Sequence, residues 1–504
     1  MLVRLQSRAP LSLDEVARSR RDGPMKSFVV RVALLAALSP APALAAQVSA
    51  AADPPAAPPA IAFEHVHVVP MAQPAAKPST KNEEGGGETG QRLLRDQTVI
   101  VREGRIAELG PASAVRVPEG AQRIDGAGRY LAPGLADMHV HTWDAGELAL
   151  FVAYGVTTVR NMFGSPIQLM WRAQIEEGKL FGPRLYTAGP IVDGEPPVWP
   201  GSAVLVSAEE ADALVLGQKQ AGYDFLKAYA RLERDPYDAL VAAGKKHGLR
   251  VVGHVPDAVG IERALFAGQS TIEHLTGYVA ASQTEDSPFL GRVGLLDEQQ
   301  AWDSVDPEKL DELVLATRDA GAWNCPTLVV LQKWVQGEEA ERLMQRPEMR
   351  FVAPMTRSFW SPKNNYLSKM PEDVLAEIRA ADVHRKRLVG ALHAAGARIL
   401  LGTDMGNPFV VPGVAVHEEL ENLVDAGLSP YEALRAATSG AAECMGAGAE
   451  WGSVAVGSSA DLVLLEADPL EDVRNARRIA GVMLRGRWHT AEELAQKLEA
   501  LAAR

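Results

Sequence analysis

Residues 133–141 read PGLADMHVH. Leu135 to Val140 is an apolar-rich run with strand character, and it ends on two histidines spaced two apart. Residues i and i+2 of a strand face the same side, so His139 and His141 project together. Two converging imidazoles suit a divalent cation. The C-terminal end of a strand is also where a (β/α)8 barrel places its reacting groups. Taken alone, two packed or exposed histidines explain the pair equally well.

Outward from this stretch, strands alternate with helices. Eight strand candidates follow one another: Leu135–His141, Gly155–Met162, Pro183–Gly189, Phe225–Ala230, Arg250–Val255, Ser270–Leu275, Trp323–Val330 and Ile399–Asp404. Helical patterns such as Ala208–Gly222 and Pro236–Gly248 lie between them. This alternation predicts an α/β fold, a (β/α)8 TIM barrel over residues 135–446. The charged stretch 331–398 between the last two strands predicts a helical insertion, placed to cover the barrel mouth. Ser429-Pro430-Tyr431-Glu432 predicts a capped helix start, with the helix running to about Met445. Short strands punctuated by glycine flank the barrel: Ala62–Val69, Thr98–Arg102, Arg105–Leu109 and Tyr130–Leu131 before it, Gly457–Leu465 and Ile479–Gly486 after it. The simplest arrangement joins residues 47–134 and 447–504 in one small β-sandwich built from both chain ends, with a tail helix. Residues 72–96 read as a polar, Gly-rich surface insertion, and His65 and His67 as an exposed strand face.

The chain has 504 residues, 47% of them apolar and 23% charged, and a net charge of −13. That composition excludes disordered, collagen-like and coiled-coil classes. The acidic balance argues against a nucleic-acid partner, which gathers positive charge. Two cysteines, Cys325 and Cys444, exclude a disulfide framework and a mainly cysteine zinc site, and are expected as unpaired thiols. Residues 25–46 (MKSFVVRVALLAALSPAPALAA) have a basic start, a short apolar run and an A-x-A signal at Ala43–Ala45. This is the outline of a secretory signal peptide over residues 1–46, with Met25 as the true start and 1–24 a mis-called extension. The run is short of the ~20 apolar residues a bilayer span needs. The expectation is a periplasmic or secreted protein with no membrane anchor after cleavage, its net charge then −17.

Four more strand candidates carry metal-capable residues at their tips: Lys227 in FLKAY, His254 in VGH, His274 in IEH and Asp404 in LGTD. Chance placement of all of them at C-terminal strand tips is improbable. Tyr229 lies two residues after Lys227, on the same strand face. Asp137 precedes His139 by two, points inward, and reads as a carboxylate that orients a ligand. Arg160, at the tip of the second strand, suits either a substrate carboxylate or a structural ion pair. His417, in HEEL after the eighth strand, lines the pocket or packs on a helix face. His247, His384, His393 and His489 read as surface or core residues.

These motifs, together with GVTTVRNM, GHVPD, TIEHL, HEELENLVDAGLSPYEALRAAT and GSSADLVLL, resemble the amidohydrolase superfamily of metal-dependent hydrolases over about residues 61–487. The likeness is greatest to exported dipeptidases and N-acyl-amino-acid hydrolases related to imidazolonepropionase, prolidase-like and ochratoxin-hydrolase-like. The resemblance implies two divalent metal ions, zinc foremost. His139, His141 and Asp404 would hold one, His254 and His274 the second, and an N6-carboxylated Lys227 would bridge them. An ammonium has donors only and cannot ligate a cation, so Lys227 must first lose a proton and react with carbon dioxide to give a carbamate. Two such metals acidify a shared water and polarise a carbonyl. Asp404 would move the water's proton to the leaving amine. Tyr229 would donate to the oxyanion, or else form a pocket wall. Asn161 stands where relatives often carry Asp, a departure from the family pattern that puts the role of that acid in question.

The expected activity is hydrolysis of an amide C–N bond in dipeptides or N-acyl amino acids, including aryl amides such as ochratoxin. Alternatives on the same site are cyclic amides, carbamates or ureas, lactones and phosphoesters. A one-metal deaminase would lack Lys227 and carry an acid just after the fifth-strand histidine, where Val255 stands. A catalytically silent scaffold would have lost a ligand. The expected partners are small molecules or short peptides, and the resemblance implies a homo-oligomer.

Overall fold

The computed structural model describes residues 60–72, 92–292 and 294–503. The expected signal peptide, the Ala/Pro-rich segment after it and most of the polar insertion (73–91) lie outside the described residues.

Eight parallel strands follow in chain order. Leu135–Val140, Val156–Asn161 and Arg184–Thr187 form one sheet. Phe225–Ala228, Arg250–Gly253, Thr271–Glu273, Trp323–Cys325 and Arg398–Ile399 form the next. Two seams close the ring. A parallel bridge joins Ala188 to Phe225. At the other seam Met138 N–H donates to Leu401 O (2.9 Å), Asp404 N–H donates to His139 O (2.8 Å), and Val140 bridges Met405. The first six strands are, Arg184, Tyr186 and Arg250 apart, buried on both faces, as parallel strands under crossover helices must be. This is the (β/α)8 barrel that the sequence predicts.

Local departures have physical causes. Of the expected strand Trp323–Val330 only Trp323–Cys325 is extended, and Leu328–Gln332 is a helix. The chain turns at Thr327, whose φ is +48°. Both of the first two helical amides, Leu328 N–H and Val329 N–H, donate to the buried Glu419 carboxylate (2.8 Å each). The predicted capping box at Ser429 and Glu432 is present. The helix it starts stops at Ala436 and resumes at Ser439. The freed carbonyls of Ala436 and Ala437 accept from Leu401 N–H and Ala136 N–H, so barrel strands take the bonds a continuous helix would keep.

Both ends of the described chain meet in one eight-stranded sheet. Its order is Arg487–Thr490, Ile479–Leu484, Leu462–Leu465, Tyr130–Pro133, Ile61–Val68, Leu94–Arg102 and Arg105–Pro111, with Gln122–Asp125 also paired to Ile61–Val68. The sheet curls over its own apolar face: Phe63 meets Trp488 edge-on at 5.3 Å, and Arg105 bridges Ser459. The two layers of the expected sandwich are therefore one continuous sheet. Along Leu462–Leu465 alternate residues serve two cores. Leu462 and Leu464 pack inside the curled sheet, and Val463 and Leu465 pack into the barrel core. At roughly 1.5–3 kcal/mol per fully buried aliphatic side chain, that alternation fixes the sheet to the barrel.

The 331–398 stretch is helical as expected: Gly337–Met344, Pro354–Trp360, Glu372–Ala380 and Asp382–Ala394. It reaches the loop that follows the eighth strand. Trp360 Nε1–H donates to Gly406 O (3.4 Å) and Tyr366 Oη–H donates to Asn407 Oδ1 (2.9 Å). Cys325 and Cys444 are buried free thiols. Among the described residues no helix is long and apolar enough to cross a membrane.

Candidate metal centre

The strand tips bring His139, His141, Lys227, His254, His274 and Asp404 together. His139 Nε2 and His141 Nε2 lie 3.4 and 3.1 Å from Asp404 Oδ1, and His274 Nδ1 lies 4.0 Å from Oδ2. Ligand atoms of His139, His274 and Asp404 fall within 4.8 Å of one another. The imidazole of His274 sits 4.6 Å from that of His139 and 4.8 Å from that of His254, ring centre to ring centre. Strand parity alone does not produce this convergence. His274 and Asp404 have φ of +59° and +56°, left-handed backbone that non-glycine residues rarely adopt. The bend at each tip turns the side chain inward. Gly402 permits the approach: a Cβ there would lie 2.3 Å from Cys325 Sγ and 2.9 Å from His139 N.

Electrostatics prepare the site for cations. Burial, then the Lys227 ammonium, holds His139 and His254 well below the usual histidine range. Burial takes His274 down to about 4. These imidazoles are neutral, so each offers a lone pair. Burial pulls the Lys227 amine down to about 8. Burial would raise the Asp404 carboxyl, but its contacts with His274, His139 and His141 outweigh it and hold it well below the usual carboxylate range, so a proton reaching this cluster settles on an imidazole before the carboxylate. Two buried atoms, His139 Nε2 and Lys227 Nζ, have no hydrogen-bond partner among the described residues. An unpaired buried polar group is costly, and the free lone pair on His139 Nε2 suits a cation. The donor set of imidazoles and a carboxylate fits divalent transition metals.

A second ring of contacts holds these ligands. Glu273 Oε2 accepts from His139 Nδ1 (2.7 Å), which leaves Nε2 as the free lone pair. Glu273 Oε1 accepts from Arg160 Nη2 (2.8 Å) and from the Thr271 hydroxyl. Asp137 accepts from Thr403 N–H (3.0 Å), Thr403 Oγ1 (2.6 Å) and His139 N–H (3.3 Å), tying the first strand to the residue before Asp404. Thr327 Oγ1 lies 2.7 Å from His274 Nδ1.

Two expected substrate contacts are corrected. Arg160 is 1% exposed, and its guanidinium is committed to Glu273 and to Met138 O (2.6 Å). It is the structural ion pair, with no face left for a substrate carboxylate. His417 is buried against the first barrel helix, its Nε2 on Tyr154 O (2.9 Å), and packs rather than lining the site. Tyr229 stands at the mouth. Its ring lies 4.2 Å from the His254 ring and its hydroxyl accepts from Trp199 Nε1–H (2.7 Å). Asn161 accepts from Thr142 N–H (3.0 Å) and shapes the loop after His141. His65 Nδ1 bonds Asp96 Oδ1 (2.8 Å) and His67 Nδ1 accepts from Asp96 N–H (3.3 Å), with His65 exposed and His67 half-buried on a strand inside the β-sheet.

Sequence reasoning missed Glu273, Thr327, Trp199 and Tyr366. Burial raises the Tyr366 phenol and the nearby Asp404 carboxylate raises it further; through Asn407 the insertion brings this hydroxyl beside the Asp404 loop. Glu273 carried a signal: it shares a strand face with Thr271 and abuts His274. The other three sit on loops or in the insertion, with no periodicity to point to them.

A family model described as the amidohydrolase family matches residues 130–489. Imidazolonepropionase from Rhizobium rhizogenes is 37% identical over 62 residues, 12% of this chain and 15% of that protein. Ochratoxinase from Aspergillus niger is 36% identical over 144 residues, 27% of this chain and 28% of that protein. The chain thus spans less than a third of the length of these curated relatives. The solved structure of AH, bottromycin amidohydrolase, is 26% identical with a TM-score of 0.69, covering 88% of this chain and 91% of that one.

Proposed function

The chain belongs to the amidohydrolase family, and from that premise we propose that it is a metal-dependent hydrolase of an amide C–N bond, acting on dipeptides or N-acyl amino acids. The observation that carries this reading is the paired set of unpartnered buried atoms, His139 Nε2 and Lys227 Nζ, among neutral imidazoles and the ionised Asp404. His139, His141 and Asp404 would hold one cation, His254 and His274 a second, and carboxylated Lys227 both; zinc suits the donors. When bound, such cations make water a nucleophile at neutral pH and polarise the scissile carbonyl.

The chain's own residues do the rest. Asp404, held ionised, accepts a proton from the attacking water and delivers it to the leaving amine. Glu273 and Asp137 hold His139 and the Asp404 loop in place. Tyr229 offers its hydroxyl proton where negative charge develops on the carbonyl oxygen. Similarity to a bottromycin amidohydrolase and to an ochratoxinase supports the amide-hydrolase reading. The signal at residues 25–46 supports an exported enzyme. The test is amine release from a library of dipeptides and N-acyl amino acids by zinc-loaded protein, beside Asp404→Asn. Turnover lost in the variant is expected. No turnover across the library, with metal bound, would refute the reading and bring forward carbamates, lactones and phosphoesters.

A further inference from the structure

Trp199 lies on the loop 194–202, after the short strand Val192–Asp193 that extends the barrel edge at Ala228. It is 45% exposed, yet its indole N–H reaches Tyr229 Oη at 2.7 Å. An indole N–H can only donate, so the Tyr229 oxygen must accept in this bond. The phenolic proton must then point elsewhere, and Tyr229 Oη has no other hydrogen-bond partner among the described residues.

The contact is built rather than incidental. Buried Asp193 accepts from Gly194 N–H (3.0 Å), Val198 N–H (2.8 Å) and Arg231 N–H (2.8 Å). One carboxylate thus staples the residue before Trp199 to the segment just past Tyr229. Arg231 Nη1 also donates to Pro196 O (2.7 Å), and Tyr229 N–H donates to Val192 O (3.0 Å). Gly194 allows the close approach, since a Cβ there would lie 1.9 Å from Arg231 O. From the other side, the His254 ring fixes the plane of the phenol at 4.2 Å.

We propose that Trp199 is a positioning residue for Tyr229: its N–H occupies the phenol oxygen's acceptor side and turns the hydroxyl proton into the mouth of the metal centre, ready for a developing oxyanion. Donation into a hydroxyl oxygen also polarises the O–H bond and strengthens it as a donor. The inference rests on the amide-hydrolase reading above and adds a residue that touches neither metal ligand nor reacting atom.

The test is a double-mutant cycle on the metal-loaded, full-length enzyme with an amide that it hydrolyses. Tyr229→Phe is expected to lower kcat about 100-fold, as loss of an oxyanion donor does. Trp199→Phe keeps the ring and removes the N–H; it is expected to lower kcat about 10-fold with KM within about twofold. In the Tyr229→Phe background Trp199→Phe should change nothing further. Asp193→Asn, which loosens the staple without touching either ring, should give the same kcat-selective loss, again absent once Tyr229 is Phe. Additive effects of Trp199→Phe and Tyr229→Phe, or a loss confined to KM, would overturn the proposal while leaving amide hydrolysis standing. A wild-type enzyme inert on amides would instead overturn both.

Discussion

Replacing Glu273 with Gln disturbs three bonds with the loss of one charge. The Glu273 carboxylate takes protons from Arg160 Nη2 at 2.8 Å, His139 Nδ1 at 2.7 Å and the Thr271 hydroxyl, all of them buried. Burial would raise this carboxyl, but the Arg160 and Lys227 charges outweigh it and hold it below the usual glutamate range, so the ionised form is the native one. A glutamine offers one acceptor oxygen and turns an NH2 donor toward either Arg160 or His139, donor against donor. Arg160, 1% exposed, is left as an uncompensated buried cation. Breaking a buried pair in this way costs about 3–5 kcal/mol. At roughly 2 °C per kcal/mol, the metal-free protein's thermal transition should fall by about 6–10 °C. Metal affinity is a separate readout. With Nδ1 no longer clamped, His139 loses the orientation and tautomer that present Nε2, and affinity should drop about 10–100-fold. Differential scanning calorimetry on chelated protein and chelator competition on reconstituted protein measure the two. Affinity unchanged in a folded variant would refute the claim that Glu273 orients His139. An unchanged transition would refute the buried pair as a fixture of the barrel.

Two further outcomes follow from other parts of the molecule. Tyr366→Phe removes the hydroxyl on Asn407, whose own Nδ2 donates to Asp404 O (2.9 Å); at about 1 kcal/mol for one hydrogen bond, steady-state kinetics should show kcat down several-fold and the thermal transition nearly unmoved. Burial raises the Glu298 carboxyl to about 8, with both oxygens 3.0 Å from Gly277 N. A raised folded-state pKa means its contribution is full below the ordinary glutamate value and is lost as pH rises through about 8; thermal midpoints from pH 5 to 9 should fall in the wild type relative to Glu298→Gln, and parallel curves would contradict the burial argument.

The barrel was legible because strand-like runs alternate with helical patterns and five of the eight carry a metal-capable residue near the tip. The H-x-H pair of His139 and His141 obeys strand parity, but it marked the site only in company with Lys227, His254, His274 and Asp404. His274 and Asp404 were found by their place at strand tips, although it is their left-handed backbone that turns them inward. The apolar run after Cys325 was misread because a short run fits a buried helix as well as a strand. Arg160 was ambiguous for a different reason: its partner Glu273 lies 113 residues away, and no local pattern records that distance. Trp199 and Tyr366 were invisible because loops and insertions carry function without periodicity.

The proposed centre holds two cations on His139, His141, Lys227, His254, His274 and Asp404. Its most direct test is to strip the protein with chelator and add zinc in steps, following bound metal and amide hydrolysis together. The account predicts that activity saturates at two ions per chain, and that Lys227→Ala holds fewer and stays inactive. Full activity at one ion, or full metal binding and turnover in Lys227→Ala, would contradict it.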